Sequence, residues 1–297
     1  MKLIKALSAS IAFALVSSSS VATVLSFQSK LGDAESGGLL NYRDETDGLT
    51  LSYQADQGKV LSYHVKKYDE CSTMSAYKIE SKNQLAINGS CPSQGGQVFE
   101  YIYEWDSKAL NWCLRREITG EKADRTAAEV VPSIHVARVK GCVEPGSQAQ
   151  LQYESKEKAK GAIRNELKEF HEMNLNRKSV NKFIDLLATY DIYELADSID
   201  PSSVEDINNI AYFLSENNRS YDAIILLQKI VQEFPDRTVA KLNLADAYWN
   251  THLDEQGIKM YKEYVAQMTA RGLERKIPRH VIMRIDRKSR KSETSEE

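Results

Sequence analysis

The chain has 297 residues, of which 42% are hydrophobic and 27% charged, and its formal net charge is −3. These values exclude a polytopic membrane protein, a wholly disordered chain and a collagen-like or coiled-coil composition. The length suits about two domains, and the mildly acidic balance argues against binding to nucleic acid or anionic membranes.

The N-terminus reads as a targeting segment. Met1-Lys2-Leu3-Ile4-Lys5 is basic, Ala6 to Val16 is apolar, and Ser17 to Ser20 is polar. Ser20-Val21-Ala22 fits a small-x-small cleavage site, so residues 1–22 are expected to be a signal peptide cut after Ala22. The apolar run falls short of the roughly 20 residues that span a bilayer. Cleavage leaves 37 basic against 42 acidic residues, a charge of −5. The expected location is periplasmic or secreted, with no integral membrane segment after cleavage.

Four cysteines, Cys71, Cys91, Cys113 and Cys142, lie in the first half. An even count in an exported chain points to disulfides, with three pairings open. Zinc would call for close Cys-x₂₋₄-Cys pairs, whereas these spacings are 20, 22 and 29.

Residues 23–48 are rich in Ser, Gly and acids with little periodicity, and read as a linker. From Leu49 a period of two sets in. Leu49, Leu51, Tyr53 and Ala55 alternate with polar residues, and after Asp56-Gln57-Gly58 so do Leu61, Tyr63 and Val65, which makes a hairpin. Further strands are expected at 75–80, 84–89, 97–106, 110–119 and 133–140. In 97–106, Phe99, Tyr101, Tyr103 and Trp105 share one face, while Ile102 and Val98 sit on the other. Apolar groups on both faces mark a central strand, and the aromatic stripe reads as core. The first half is therefore an antiparallel β domain over 49–143, followed by a linker over 144–152.

The second half repeats itself every 34 residues. Placing 204–237 over 238–271 matches Ala211 with Ala245, Leu214 with Tyr248, Ala223 with Gly257, Leu227 with Tyr261 and Ile230 with Tyr264. Small residues at a crossing, ringed by large ones, are what packing a helical hairpin requires. Pro235 closes the first unit, and Pro201 stands 34 residues before it. Upstream, Ala159, Ile163, Leu167 and Phe170 form the apolar stripe of another helix.

This pattern resembles the tetratricopeptide repeat. The resemblance covers roughly 170–290: a degenerate unit at 170–203, where Arg177 replaces a small residue, units at 204–237 and 238–271, and a capping helix at 277–290. It implies a concave groove lined by the first helix of each hairpin. With the upstream amphipathic helix the helical domain runs over 153–290, and the mixed charges around Lys291, Glu293, Glu296 and Glu297 read as a frayed helix end and a disordered tail at 291–297. The groove positions are Glu205, Asn208, Tyr212 and Ser215, then Val239, Leu242, Asp246 and Trp249. Asn208, Tyr212, Leu242, Asp246 and Trp249 are the candidate peptide-binding residues, with Trp249 the leading anchor. Acids at Glu205 and Asp246 do not fit the carboxylate-gripping subfamily.

No catalytic or metal pattern emerges from His64, His135, His171, His252 and His280. Cys113 with His135 is the one conceivable nucleophile pair, and export favours a disulfide instead. Glu100 and Glu104 are about 13 Å apart along one strand, too far for a glycosidase pair. The expectation is thus an α+β chain: an antiparallel, disulfide-bonded β domain followed by an α-helical hairpin solenoid. Its expected role is an exported interaction module or scaffold of the bacterial envelope that binds a protein or peptide without cofactor, metal or catalysis. The alternatives are an inhibitor or immunity protein for a secreted toxin, and a cell-wall hydrolase whose β domain is catalytic.

Overall fold

A computed structural model describes residues 22–31, 34–56, 58–67, 73–91, 97–121, 134–174 and 176–293. The expected signal peptide lies outside them, apart from Ala22, as does Cys71. The described chain is α+β, with antiparallel strands first and helices after.

Two sheets stack in the first half. One is a meander of β1 (Thr23–Leu31), β2 (Ala34–Glu45), β3 (Gly48–Ala55) and β4 (Val60–Lys66). The other orders β5 (Thr73–Ile79), β6 (Gln84–Cys91), β7 (Gln97–Asp106), β8 (Asn111–Glu121) and β9 (Ile134–Arg138). The expected hairpin is β3–β4, in the register Leu51↔Tyr63. Phe27, Leu40, Leu51 and Tyr53 of the first sheet meet Leu85, Ile87, Tyr103 and Trp112 of the second in one apolar layer. Trp112 is its centre: its ring lies 4.7 Å from Phe27, 5.4 Å from Tyr53 and 5.7 Å from Trp105 by ring centroids. Such packing adds edge-to-face attraction to the burial of large rings.

The linker expected at 23–48 is a pair of strands. Gly37 and Gly38, which read as loop residues, sit inside β2 for a steric reason. Gly38 pairs with Phe27 and Ala55, and a Cβ there would run into the ring of Tyr53. Glycine in a strand here marks the close approach of an aromatic ring rather than a break. The 144–152 linker is also fixed to the β domain. Leu114 N donates to Val143 O (2.8 Å), Lys140 N to Gln152 O (2.7 Å), and a bridge joins Val139 to Tyr153. A Cβ on Gly146 would collide with the His64 backbone, so this strap lies directly on β4. Cys113 and Cys142 are disulfide-bonded to each other and anchor its start, and Cys91 is disulfide-bonded as well.

The helices are α1 (Lys156–Glu172), α2 (Arg177–Leu186), α3 (Thr189–Asp197), α4 (Val204–Glu216), α5 (Ser220–Glu233), α6 (Thr238–Asn250), α7 (Asp254–Ala270) and α8 (Arg279–Glu293). Ser155 caps α1 by accepting from Lys158 N, and Ile163, Leu167 and Phe170 bury its stripe. Arg177 is the first residue of α2, where its exposed side chain pairs with Glu216 (3.2 Å). In the two full units, Ala211, Ala223 and Ala245 are all completely buried. A Cβ on Gly257 would stand only 3.3 Å from Ala245 O, so α6 and α7 touch through backbone at that point. The two hairpin turns match residue for residue. Asn218 and His252, 34 apart, share φ of 61°, and the bonds Arg219 N to Leu214 O (2.8 Å) and Leu253 N to Tyr248 O (2.9 Å) close the same ring. Beyond α7, α8 continues to Glu293, past the expected end of the capping helix at 290.

The two halves share an interface. The second face of the five-stranded sheet, with Ala86, Ile102 and Ile118, packs on Ala188 and Tyr190 at the start of α3. The sequence placed apolar groups on both faces of β7, and α3 is what covers the second. Around that contact lies a buried polar network. Arg138 grips Glu194 through Nε (2.7 Å) and Nη2 (2.8 Å), and Arg116 Nε reaches the same carboxylate at 3.4 Å. Tyr190 donates to Gln84 Oε1 (2.6 Å), and Lys82 pairs with Asp191 (2.6 Å). The Arg116 guanidinium lies 4.6 Å above the Tyr190 ring.

Candidate functional site

The helices stack so that polar side chains of successive units meet. Asn243 Nδ2 donates to Asn208 Oδ1 (3.3 Å), Asn250 Nδ2 to Ser215 Oγ (3.2 Å), and His171 Nδ1 lies 3.1 Å from Asp206. His280 Nε2 lies 3.2 Å from Asp246 Oδ1. Each of these links joins residues 34 or 35 apart, so the period seen in the apolar residues also governs the polar ones. A polar rung of this kind satisfies its own hydrogen-bonding groups while fixing the spacing of the helices.

Across α4, α6 and α8, five of these groups, Ser215, Asn243, Asp246, Asn250 and His280, border an open pocket of about 220 Å³. Tyr212, Ser215, Glu216, Asn243, Asp246, Asn250, His280 and Arg284 line it. Tyr212 is the exposed aromatic of the set, 43% accessible, with its ring edge-on to Phe213. The pocket floor is held by charge. Asp246 Oδ1 accepts from Arg284 Nη1 (2.5 Å) and from the Tyr261 hydroxyl (2.5 Å). Burial and then the Asp246 carboxylate push the Tyr261 hydroxyl well above its ordinary range, so it stays protonated and donates.

The five residues nominated from sequence are placed differently from one another. Tyr212 and Asp246 line the pocket. Asn208 is buried and reaches the pocket only through Asn243. Leu242 and Trp249 are half-buried in an apolar cluster with Val281, Ile277 and Ile285. Trp249 carries the Arg284 guanidinium 4.9 Å above its ring instead of standing free as an anchor. Asn243, Asn250, His280 and Arg284 were not nominated. The 34-residue period extended one step from Asp246 lands on His280 and would have found it.

The β domain brings three further donor groups together. Glu45, Asp47 and His64 hold ligand atoms within 4.8 Å of one another at the β2–β3 turn, and His64 Nε2 is 3.4 Å from Asp47 Oδ2. They are solvent-facing, and an ordinary surface ion pair accounts for them. A larger hollow of about 420 Å³ opens between the sheets, with Met74, Tyr101, Tyr103 and Leu114 on one side and the strap from Val143 to Leu151 on the other. Cys113 spends its sulfur on Cys142 and so offers no thiol to His135.

The disulfide fits an oxidising compartment such as the periplasm or the extracellular space. No helix among the described residues is long and apolar enough to cross a membrane. No protein-family model matches this chain, and a search of curated proteins found no match.

Proposed function

We propose that this chain is an exported interaction module of the tetratricopeptide type, and that it binds a peptide or protein across α4, α6 and α8. The observation that carries the reading is the pocket these three helices share: open, polar, bordered by amides at Asn243 and Asn250 and by the half-exposed ring of Tyr212. Amides that donate and accept can follow a peptide backbone, and an exposed tyrosine supplies rigid contact area. The 34- and 35-residue polar links support a true repeat stack, which is the architecture such grooves are built from. Export is supported by the disulfides and by the position of β1, which begins at Thr23, just past the expected cleavage site, so cutting after Ala22 leaves the sheet whole. Inhibition of a secreted toxin would use the same surface and differs only in having a single tight partner.

The test is crosslinking from inside the envelope. The full chain is expressed with its N-terminal segment and a photo-crosslinking residue at position 212 or, as a control, at position 60, where Val60 is exposed on β4. The reading expects mature protein beginning at Thr23 and a discrete crosslinked partner from 212 only. Crosslinks from 60 alone would move the binding site to the β domain. No partner from either position, or retention in the cytoplasm, would sink the proposal.

A further inference from the structure

The guanidinium of Arg284 sits in a cage. Its Nη1 donates to Asp246 Oδ1 (2.5 Å) and to the Tyr261 hydroxyl. Its Cζ lies 4.9 Å from the Trp249 ring centre and 5.6 Å from that of Tyr261. One carboxylate with two aromatic faces is a general receptor for a planar, weakly hydrated cation, and it suits guanidinium better than ammonium. The three caging residues belong to α6 and α7, while the cation comes from α8.

α8 has an apolar hold on the helices before it besides the cage. Val281 is completely buried, and Ile277 and Ile285 pack beside it in the same apolar cluster. Arg284 can therefore swing out by side-chain rotation while α8 stays docked. The way out is open, because Asp246 and Arg284 both border the pocket, with Glu216 and Tyr212 across from them. With Arg284 in place, Asp246 is neutralised. With Arg284 out, the Asp246 carboxylate keeps the Tyr261 hydroxyl and His280 (3.2 Å) as neighbours and opens to the pocket next to the Trp249 ring, while Glu216 at the rim stays paired with Arg177 (3.2 Å).

We infer that the partner is recognised through an arginine side chain that takes the place of Arg284 in this cage. Arg284 is then an internal competitor, and the groove is self-occupied until a partner arrives. The inference rests on the groove reading above, and it assigns that groove a cationic partner.

The full chain, as wild type, Arg284→Ala and the double variant Arg284→Ala with Asp246→Asn, is titrated with Nα-acetyl-arginine amide and followed by tryptophan fluorescence and thermal shift. The lysine and alanine analogues serve as controls. Arg284→Ala should bind the arginine probe about tenfold more tightly than wild type, the scale of one displaced cation–π and ion-pair set. The lysine analogue should bind more weakly, and Asp246→Asn should abolish the gain. Arg284→Lys, which keeps the charge but loses the fork, guards against misfolding of the alanine variant and should fall between it and wild type. Equal binding by wild type and both single variants would overturn the inference and make Arg284 a structural clamp for α8. Crosslinking from 212 reports on the groove independently, so a crosslinked partner without any gain in arginine binding would defeat the cage and leave the groove standing.

Discussion

Individual side chains show where local pattern stops being informative. Trp249 and Tyr212 are both groove-position aromatics on first helices, three residues out of step in the 34-residue period, yet α8 covers Trp249 and Tyr212 stays open. The pattern within either helix does not show this; the next element along the chain decides it for Trp249. Glu166 on α1 is a second case. Burial first, and the nearby Asp191 carboxylate second, hold its carboxyl above the usual range. A raised folded pKa means the fold favours the protonated form. The resulting stability is fully present below the unfolded value of about 4.3 and is lost as pH rises through the folded pKa. Glu166→Gln, which mimics the protonated state, should raise the urea midpoint at pH 7. The advantage should shrink to nothing near pH 4. An equal effect at both pH values would show that charge is not the cause.

Elements were legible where their periodicity was regular. The β3–β4 hairpin, the central β7 and the paired helices α4–α5 and α6–α7 all follow from runs of apolar residues at period two or 3.6. β1 and β2 escaped because their pattern is diluted by Gly37 and Gly38; the missing side chain of Gly38 makes room for the Tyr53 ring on another strand, and that of Gly37 for the Asp56 carboxylate. The strap after β9 escaped for a related reason, since its order comes from Val143, Gln152 and a disulfide rather than from its own periodicity. Cys113 and Cys142 are 29 residues apart. Closing a loop of that size restricts the unfolded chain by about 3.6 kcal/mol. Replacing both cysteines by alanine should lower the unfolding free energy by about that amount, with the loss concentrated in the β domain when followed by hydrogen exchange. Loss of protection in the helices instead would mean that the bridge serves the interface.

At the scale of the whole molecule, the buried network between β8, β9 and α3 ties two halves that read as separate domains. Glu194 is the hinge pin of that network, because the fork of Arg138 and the guanidinium of Arg116, which also pairs with Glu104 at 3.7 Å, meet at its carboxylate. Truncating one partner of a buried ionic set leaves the others uncompensated and costs about 3–5 kcal/mol. In a Trp249→Phe background, where fluorescence comes from Trp105 and Trp112 alone, the chain should therefore unfold in one transition, with helical circular dichroism and fluorescence coinciding. Glu194→Ala should separate the two signals and lower at least one midpoint. If the signals are already separate with Glu194 in place, the halves are not coupled through this contact.

The amino-acid sequence by itself determined the class and order of the parts: an α+β chain, strands first, helices after, with disulfides in the first half and a 34-residue period in the second. Those properties are carried by residue type and spacing, which need no knowledge of what lies opposite. The tertiary structure alone decided what covers what. It set α3 against the second face of β7, laid the strap over β4, folded α8 onto Trp249 and placed Arg284 between Asp246 and two rings. Each of these joins residues that share no local pattern, and the free energy that selects them comes from burial and charge pairing between elements rather than within them.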